Sequence, residues 1–180
     1  MKVVSIVGMA GSGKSEVAKI FENNGFAKVR FGDITDREIE KRGLELNEKN
    51  ERYIRQQLRK EHGMSAYAEL SLSSIDNLLK SADVVVDGLY SWEEYKLLKS
   101  RYGDRFSAIA VWASPETRYE RLAKRPVRPL TVEEAISRDV AEIENSDKGG
   151  PIAMANFTII NESSLEDMEK ETQRVISALK

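Results

Sequence analysis

An α/β fold, with five parallel strands covered by helices on both faces, is what this sequence predicts, and three observations predict it. A glycine-rich loop ending in Lys14-Ser15 stands between a β-branched run and a helical pattern. Further short apolar runs at 27–31, 83–86, 107–112 and 157–160 alternate with stretches of helical spacing. No repeat or linker divides the 180 residues, 41% of them hydrophobic and 32% charged, which suits one globular core. Strands separated by helices pair in parallel, because each crossover covers a face of the sheet.

Taken in order, Val3-Val4-Ser5-Ile6-Val7 is a buried strand stopped at Gly8. After the glycines, Val17, Ala18, Ile20 and Phe21 share a helical face, and Asn24-Gly25 is an end signal of the left-handed kind. The interval 34–82 exceeds one crossover helix. It predicts two amphipathic helices, one with Tyr53, Ile54 and Leu58, the next with Tyr67, Leu70, Ile75, Leu78 and Leu79. The stretch 121–130 sets several basic residues around Pro126 and Pro129 and reads as a mobile loop before a helix opening at Thr131-Val132-Glu133-Glu134. The expected organisation is one domain over 1–180, with a helical insertion at 34–82 that binds an acceptor and a lid at 121–138.

Charge and composition narrow the function. Lys plus Arg number 28 against 30 Asp plus Glu, a net charge of -2, which argues against bulk binding of nucleic acid or an anionic membrane. Any anion is met locally. The absence of cysteine removes disulfides, thiolate zinc sites and Cys nucleophiles and points to a cytoplasmic chain; the single histidine, His62, leaves no His-rich metal site. The first apolar run is too short for a signal peptide or a membrane span, so the mature chain is expected to start near Met1.

Gly8-Met9-Ala10-Gly11-Ser12-Gly13-Lys14-Ser15 satisfies G-x-x-x-x-G-K-[ST] in its required context of strand before and helix after. Glycines let successive N–H groups turn inward, and the helix N-terminus adds positive partial charge. Lys14 then reaches the β- and γ-phosphates of a bound nucleotide, and the Ser15 hydroxyl coordinates Mg²⁺. Gly8, Ala10, Gly11, Ser12, Gly13, Lys14, Ser15 and Glu16 form the expected nucleotide-binding set. Asp87, closing the strand of Val84-Val85-Val86, either holds a metal-bound water or, with Gly88, meets the acceptor; a buried strand also ends in Asp simply as a turn former.

A phosphate loop does not by itself name a reaction. The Asn-Lys-x-Asp element of guanine-nucleotide switches is missing, whereas a second anion site and a set of arginines, as a kinase of small nucleotides needs, are visible. Phe31-Gly32-Asp33 follows the second strand. Asp33 either orients an attacking hydroxyl, or holds metal, or simply N-caps the next helix; Arg37 either grips an acceptor phosphate or faces solvent. Arg52, Arg55 and Arg59 share one helical face, usually a solvated arrangement, and Arg59 is the member singled out for the substrate. Arg121 and Arg125 are expected at the transferring phosphoryl group, ahead of Arg128 and Arg138, with Arg118 left at the surface.

Along most of its length the chain resembles the nucleoside monophosphate kinase superfamily, and within it the dephospho-coenzyme A kinases and adenylate-kinase-related proteins. The residues that carry the likeness are the loop GMAGSGKS, Phe31-Gly32-Asp33, Val86-Asp87-Gly88, Ala113-Ser114-Pro115-Glu116-Thr117 leading to Arg121 and Arg125, and the run from Ala155 to Ser163. The resemblance implies a P-loop NTPase fold, MgATP as donor, a small-molecule nucleotide acceptor such as dephospho-coenzyme A or a nucleoside monophosphate, and an adenine contact near Asn161. The chain departs from adenylate kinases by placing Asp36 where they carry an arginine, and by having no basic residue shortly after Gly88, where Tyr90 stands. The competing readings are a regulatory module that binds ATP without transfer and a slow ATPase serving a protein partner.

Overall fold

The structure, a computed structural model, describes residues 1–179. Strands β1 (Val3–Val7), β2 (Ala27–Arg30), β3 (Val84–Asp87), β4 (Phe106–Trp112) and β5 (Phe157–Ile160) form one sheet in the order β2-β3-β1-β4-β5. Every pairing is parallel, with Val3 opposite both Val84 and Phe106 and Ile109 opposite Phe157. The strand β1 is buried along its whole length, which explains its unbroken apolar spelling.

Helices cover both faces. On one, Val4 and Ile6 pack with Val17 and Phe21 of α1 (Lys14–Asn23) and Ile176 of α9 (Leu165–Leu179). On the other, Val3 and Val7 meet Tyr67 and Ile75 of α4 (Ala66–Leu78) and Leu98 of α5 (Trp92–Tyr102). Chain order reverses across β1, so the carboxyl ends of β1 and β3 open onto a crevice of the kind where α/β sheets bind ligands. Among the described residues no helix is long and apolar enough to cross a membrane.

Two expectations change. The interval 34–82 holds three helices, because α2 (Gly32–Lys41) starts directly after β2 and precedes α3 (Glu48–His62) and α4. Asp33 therefore sits in the first turn of α2, with Phe31 at the N-cap. The buried stripe of α3 is Glu51, Ile54 and Leu58, while Tyr53 is left exposed. Beyond β4, α6 (Pro115–Ala123) takes in Arg121, so the irregular lid segment begins only at Lys124, and α7 (Val132–Glu144) opens with a capping box between Thr131 and Glu134. A short helix α8 (Gly149–Ala153) leads into β5.

Candidate active site

The phosphate loop runs from β1 into α1 with Gly11 and Gly13 at φ 82° and 98°. A side chain at Gly13 would stand 2.3 Å from Asn161 Nδ2, whose amide donates to the Ser12 carbonyl at 2.9 Å. Asn161 thus braces the loop from the end of β5. A second brace is Arg118, expected at the surface but 4% exposed. Its Nη1 donates to the Ala10 carbonyl at 3.0 Å, its Nε to Ala113, and both terminal nitrogens to Asp139. That correction has a physical cause. Arg118 lies one turn into α6, facing the loop, and a buried carboxylate on α7 neutralises it.

Lys14 donates to the Met9 carbonyl at 2.9 Å and has no carboxylate partner among the described residues. Burial, then the nearby ammonium of Lys148, pushes it down to about 7. A partly buried lysine held by one carbonyl is available to an anion.

Lys14, Ser15 and Asp87 line a cavity of about 480 Å³ between the sheet end, α3 and the lid segment. Nine basic side chains line it against five acidic ones, a local excess that the near-neutral whole conceals. Six of the nine are paired. Arg55 meets Glu48 at 2.7 Å and Glu51 at 3.2 Å, and Arg52 stands 3.8 Å from Glu48. Arg138 spans from α7 to Glu48 at 2.9 Å and Glu142 at 3.2 Å. Arg128, in a left-handed conformation at φ 56°, pairs with Glu51 and stands 3.8 Å from Asp36. Lys14, Arg59 and Arg125 have no carboxylate partner among the described residues. Burial, with Arg138 and Arg128, lowers Arg125.

The residues named from the sequence divide. Lys14, Ser15, Ala10, Asp87, Arg59, Arg125 and Arg128 come together around the cavity. Gly8, Gly11, Ser12 and Gly13 form the loop beside it, and Gly88 is the turn after β3. Glu16 is exposed on α1 and does not line the cavity, nor does Arg37, exposed on α2. Asp33 is likewise outside. Arg30, at the end of β2, holds it at 2.7 Å and holds Asp36 at the same distance, and of the two acids only Asp36 lines the cavity. Arg121 also lies off the cavity, its charge acting on Glu162 beside Asn161, with one terminal nitrogen buried and unpartnered.

Sequence reasoning missed Arg30, Glu142 and Lys148. Lys148 is 2% exposed, donates to Glu142 at 2.6 Å and stands 5.4 Å from the centre of the Tyr90 ring. Burial would raise Glu142, but Lys148 and Arg138 hold it well below the usual carboxylate range. The only local sign was a lysine before Gly149-Gly150-Pro151, which by itself says turn.

Comparison with known proteins agrees with this architecture. A model of the AAA domain family matches residues 4–145. A UPF0200 protein of Thermococcus kodakarensis is 37% identical over 181 aligned residues, covering 98% of this chain and 97% of that one. A UPF0200 protein of Methanosarcina barkeri is 35% identical, covering 98% and 95%. Among solved structures, a gluconokinase from Sinorhizobium meliloti superposes with a TM-score of 0.64 at 16% identity, covering 99% of this chain and 93% of that one. A dephospho-CoA kinase from Campylobacter jejuni gives 0.57 at 15%, covering 99% and 97%. The shared feature is the fold of P-loop kinases.

Proposed function

The chain belongs to the AAA domain family and to the UPF0200 proteins, and on that premise we propose that it is an ATP-dependent phosphotransferase, moving the γ-phosphoryl group of MgATP to a small nucleotide or nucleotide-like acceptor. Dephospho-coenzyme A and the nucleoside monophosphates are the leading acceptors. The observation that carries the reading is the pair of cations without a carboxylate partner among the described residues, Lys14 on the loop and Arg125 beyond α6, lining one cavity with Asp87. A binding module needs the first; a transfer enzyme also needs the second.

In this reading the loop amides and Lys14 hold the β- and γ-phosphates, while Asn161 and Arg121 flank the donor base. Among the described residues no group of three or more acidic or histidine side chains is arranged to hold a metal. Mg²⁺ takes one or two protein ligands and otherwise phosphate and water, a part that the Ser15 hydroxyl and Asp87 carboxylate, both lining the cavity, would fill. When bound, the ion neutralises charge on the β- and γ-oxygens. The acceptor oxygen attacks the γ-phosphorus and forms the new O–P bond as the bond to the β,γ-bridging oxygen breaks, and that oxygen leaves with the electron pair as ADP. If the acceptor is a hydroxyl its proton passes to Asp87, the one of the five cavity acids with no ion-pair partner among the described residues, in place of Asp33; a phosphate acceptor needs no base. Arg125 meets the charge that spreads over the transferring oxygens.

The test is direct. The full chain is incubated with MgATP and, separately, AMP, CMP, GMP, UMP and dephospho-coenzyme A, and products are resolved by chromatography. A phosphorylated acceptor that disappears in Lys14→Ala is the expected result. Tight ATP binding with no product from any acceptor would make the protein a regulatory module, and hydrolysis that no acceptor outcompetes would make it an ATPase.

A further inference from the structure

The acceptor half of the cavity is unusual in what it lacks and in what replaces it. The turn after β3 carries no basic residue, yet an ammonium stands over its Tyr90 ring, delivered from the far end of α7. Much of the local structure serves that delivery. Asp147 is in a left-handed conformation at φ 48°, and the Lys148 amide donates to the Glu142 carbonyl. The Ser146 carbonyl accepts from the Trp92 amide at 3.2 Å. Gly150 lies so close to the Trp92 indole that a side chain there would stand 2.9 Å from a ring carbon. A lysine 2% exposed is costly to bury, and one carboxylate, Glu142, offsets that cost.

Arg59 is the second part. It lines the same cavity from the last turns of α3, has no carboxylate within ion-pair distance among the described residues, and its Nε is buried with no hydrogen-bond partner. Its neighbours Arg52 and Arg55, which share its helix face, are each satisfied by Glu48. A buried guanidinium nitrogen without a partner, in a cavity whose other α3 arginines are paired, is a donor available to a ligand oxygen. Arg59 and Lys148 are near enough that each acts on the buried carboxyl of Glu94 and Arg59 acts on Lys148.

We propose that Arg59 and Lys148 form an anion subsite that receives a phosphate already present on the acceptor, so that the protein selects phosphorylated acceptors over neutral polyols, sugar acids and free nucleosides. The inference rests on the phosphotransferase reading above and narrows it. Lys14 and Arg125 serve the donor and the group in transit; Arg59 and Lys148 hold the acceptor's own phosphate, which in a nucleoside monophosphate supplies the attacking oxygen and in dephospho-coenzyme A stands apart from the reacting hydroxyl. A planar guanidinium and a point charge on either side of a tetrahedral dianion give it several donors at once, whereas a hydroxyl-only acceptor leaves both cations dehydrated and unpaid. Discrimination against such acceptors therefore comes from the penalty of filling the cavity without an anion.

The experiment separates this subsite from the donor site. The full chain is saturated with magnesium and the non-hydrolysable donor analogue AMPPNP, which occupies the γ-phosphate position, and is then titrated with inorganic phosphate, followed by calorimetry. The expected result is uptake of one phosphate, weakened about 10- to 100-fold in Arg59→Gln, the loss of one charge-assisted hydrogen-bonding group. AMPPNP affinity should stay within about twofold. Arg59 has no ion-pair partner to strand, so this variant should fold, and circular dichroism checks it; Lys148→Arg, which keeps the pair with Glu142, should shift phosphate affinity while retaining the fold. Acceptor turnover gives a parallel arm, in which a monophosphate or dephospho-coenzyme A is phosphorylated while the matching nucleoside, gluconate and shikimate are not. Phosphate binding unchanged in both variants, no phosphate uptake by the AMPPNP-loaded protein, or equal use of a nucleoside and its monophosphate would each overturn the subsite while leaving donor binding intact. Failure to bind AMPPNP at all would sink the phosphotransferase reading first and the subsite with it.

Discussion

Arg118 and Asp139 are joined by two hydrogen bonds, of 3.0 and 2.6 Å, and the same guanidinium holds the Ala10 carbonyl of the phosphate loop. The pair therefore ties α6, α7 and the phosphate loop into one unit. Arg118→Met would leave the buried Asp139 carboxylate without a counter-charge and with only the Tyr119 hydroxyl as side-chain donor, which costs about 3–5 kcal/mol. For a chain of this size that lowers the melting temperature by about 10 °C. Nucleotide affinity, measured below the melting transition, should fall as well, because the loop loses an anchor. Unchanged stability would mean that Asp139 finds another donor and that the unit is not as rigid as its geometry states.

The depressed basicity of Lys14 has a pH signature. Burial lowers it to about 7, so near neutral pH a fraction of the empty protein carries Lys14 uncharged. A polyphosphate restores the charge, so donor binding at pH 8 takes up protons from solution and apparent affinity declines as pH rises above 7. Titration calorimetry in two buffers of different ionisation enthalpy measures that uptake, and it should vanish in Lys14→Met. For stability the sign is the opposite of the affinity trend. Between about 7 and 10.5 the unfolded chain binds more protons at this lysine than the folded one, so its contribution makes the fold more stable as pH rises through that window. A wild-type protein that takes up no protons on binding would contradict the environment described for Lys14.

Arg125 and Arg121 separate in the structure although the sequence treats them as a pair. Arg125 lines the cavity without a partner, so Arg125→Ala should cut kcat by about 10²–10³-fold with little effect on melting temperature. Arg121 lies by Glu162 and Asn161, away from the cavity, so Arg121→Ala should raise the donor KM and leave kcat nearly intact. Steady-state kinetics of the two variants checks the split. Equal losses of kcat would return Arg121 to the transferring group.

The loop and the sheet were legible because both are local. Val3–Val7 is β-branched and buried on both faces, and the glycines are dictated by backbone positions that a side chain cannot occupy. Arg59 was legible as a candidate but not as special, since its helix face spells three arginines alike and only tertiary contacts show that Glu48 closes two of them. Lys148 was not legible at all. Its role depends on a strained turn that carries it over Tyr90, 58 residues earlier in the chain, and no periodicity encodes a meeting of that kind. Arg118 was misplaced for the same reason, because its partner Asp139 belongs to another helix.

The segment proposed as a lid is joined to α3 across the cavity by Arg128, which pairs with Glu51 despite a left-handed backbone, and by Arg138, which reaches Glu48 at 2.9 Å. These carboxylates hold arginines on the inner side of the cavity, and in the proposed reading a bound phosphate would compete with them for those arginines. Glu51 is 5% exposed, and its neutral amide analogue Glu51→Gln would keep the volume while removing the charge. The lid should then open more often in the empty protein. Its basic loop holds Lys124, with 78% of its side chain exposed, as a ready tryptic site, so limited trypsin digestion should cut Glu51→Gln several-fold faster than wild type. MgAMPPNP should abolish the difference by giving the arginines an anion again. Equal cutting rates with and without nucleotide in both proteins would mean that the ion pair does not control the lid.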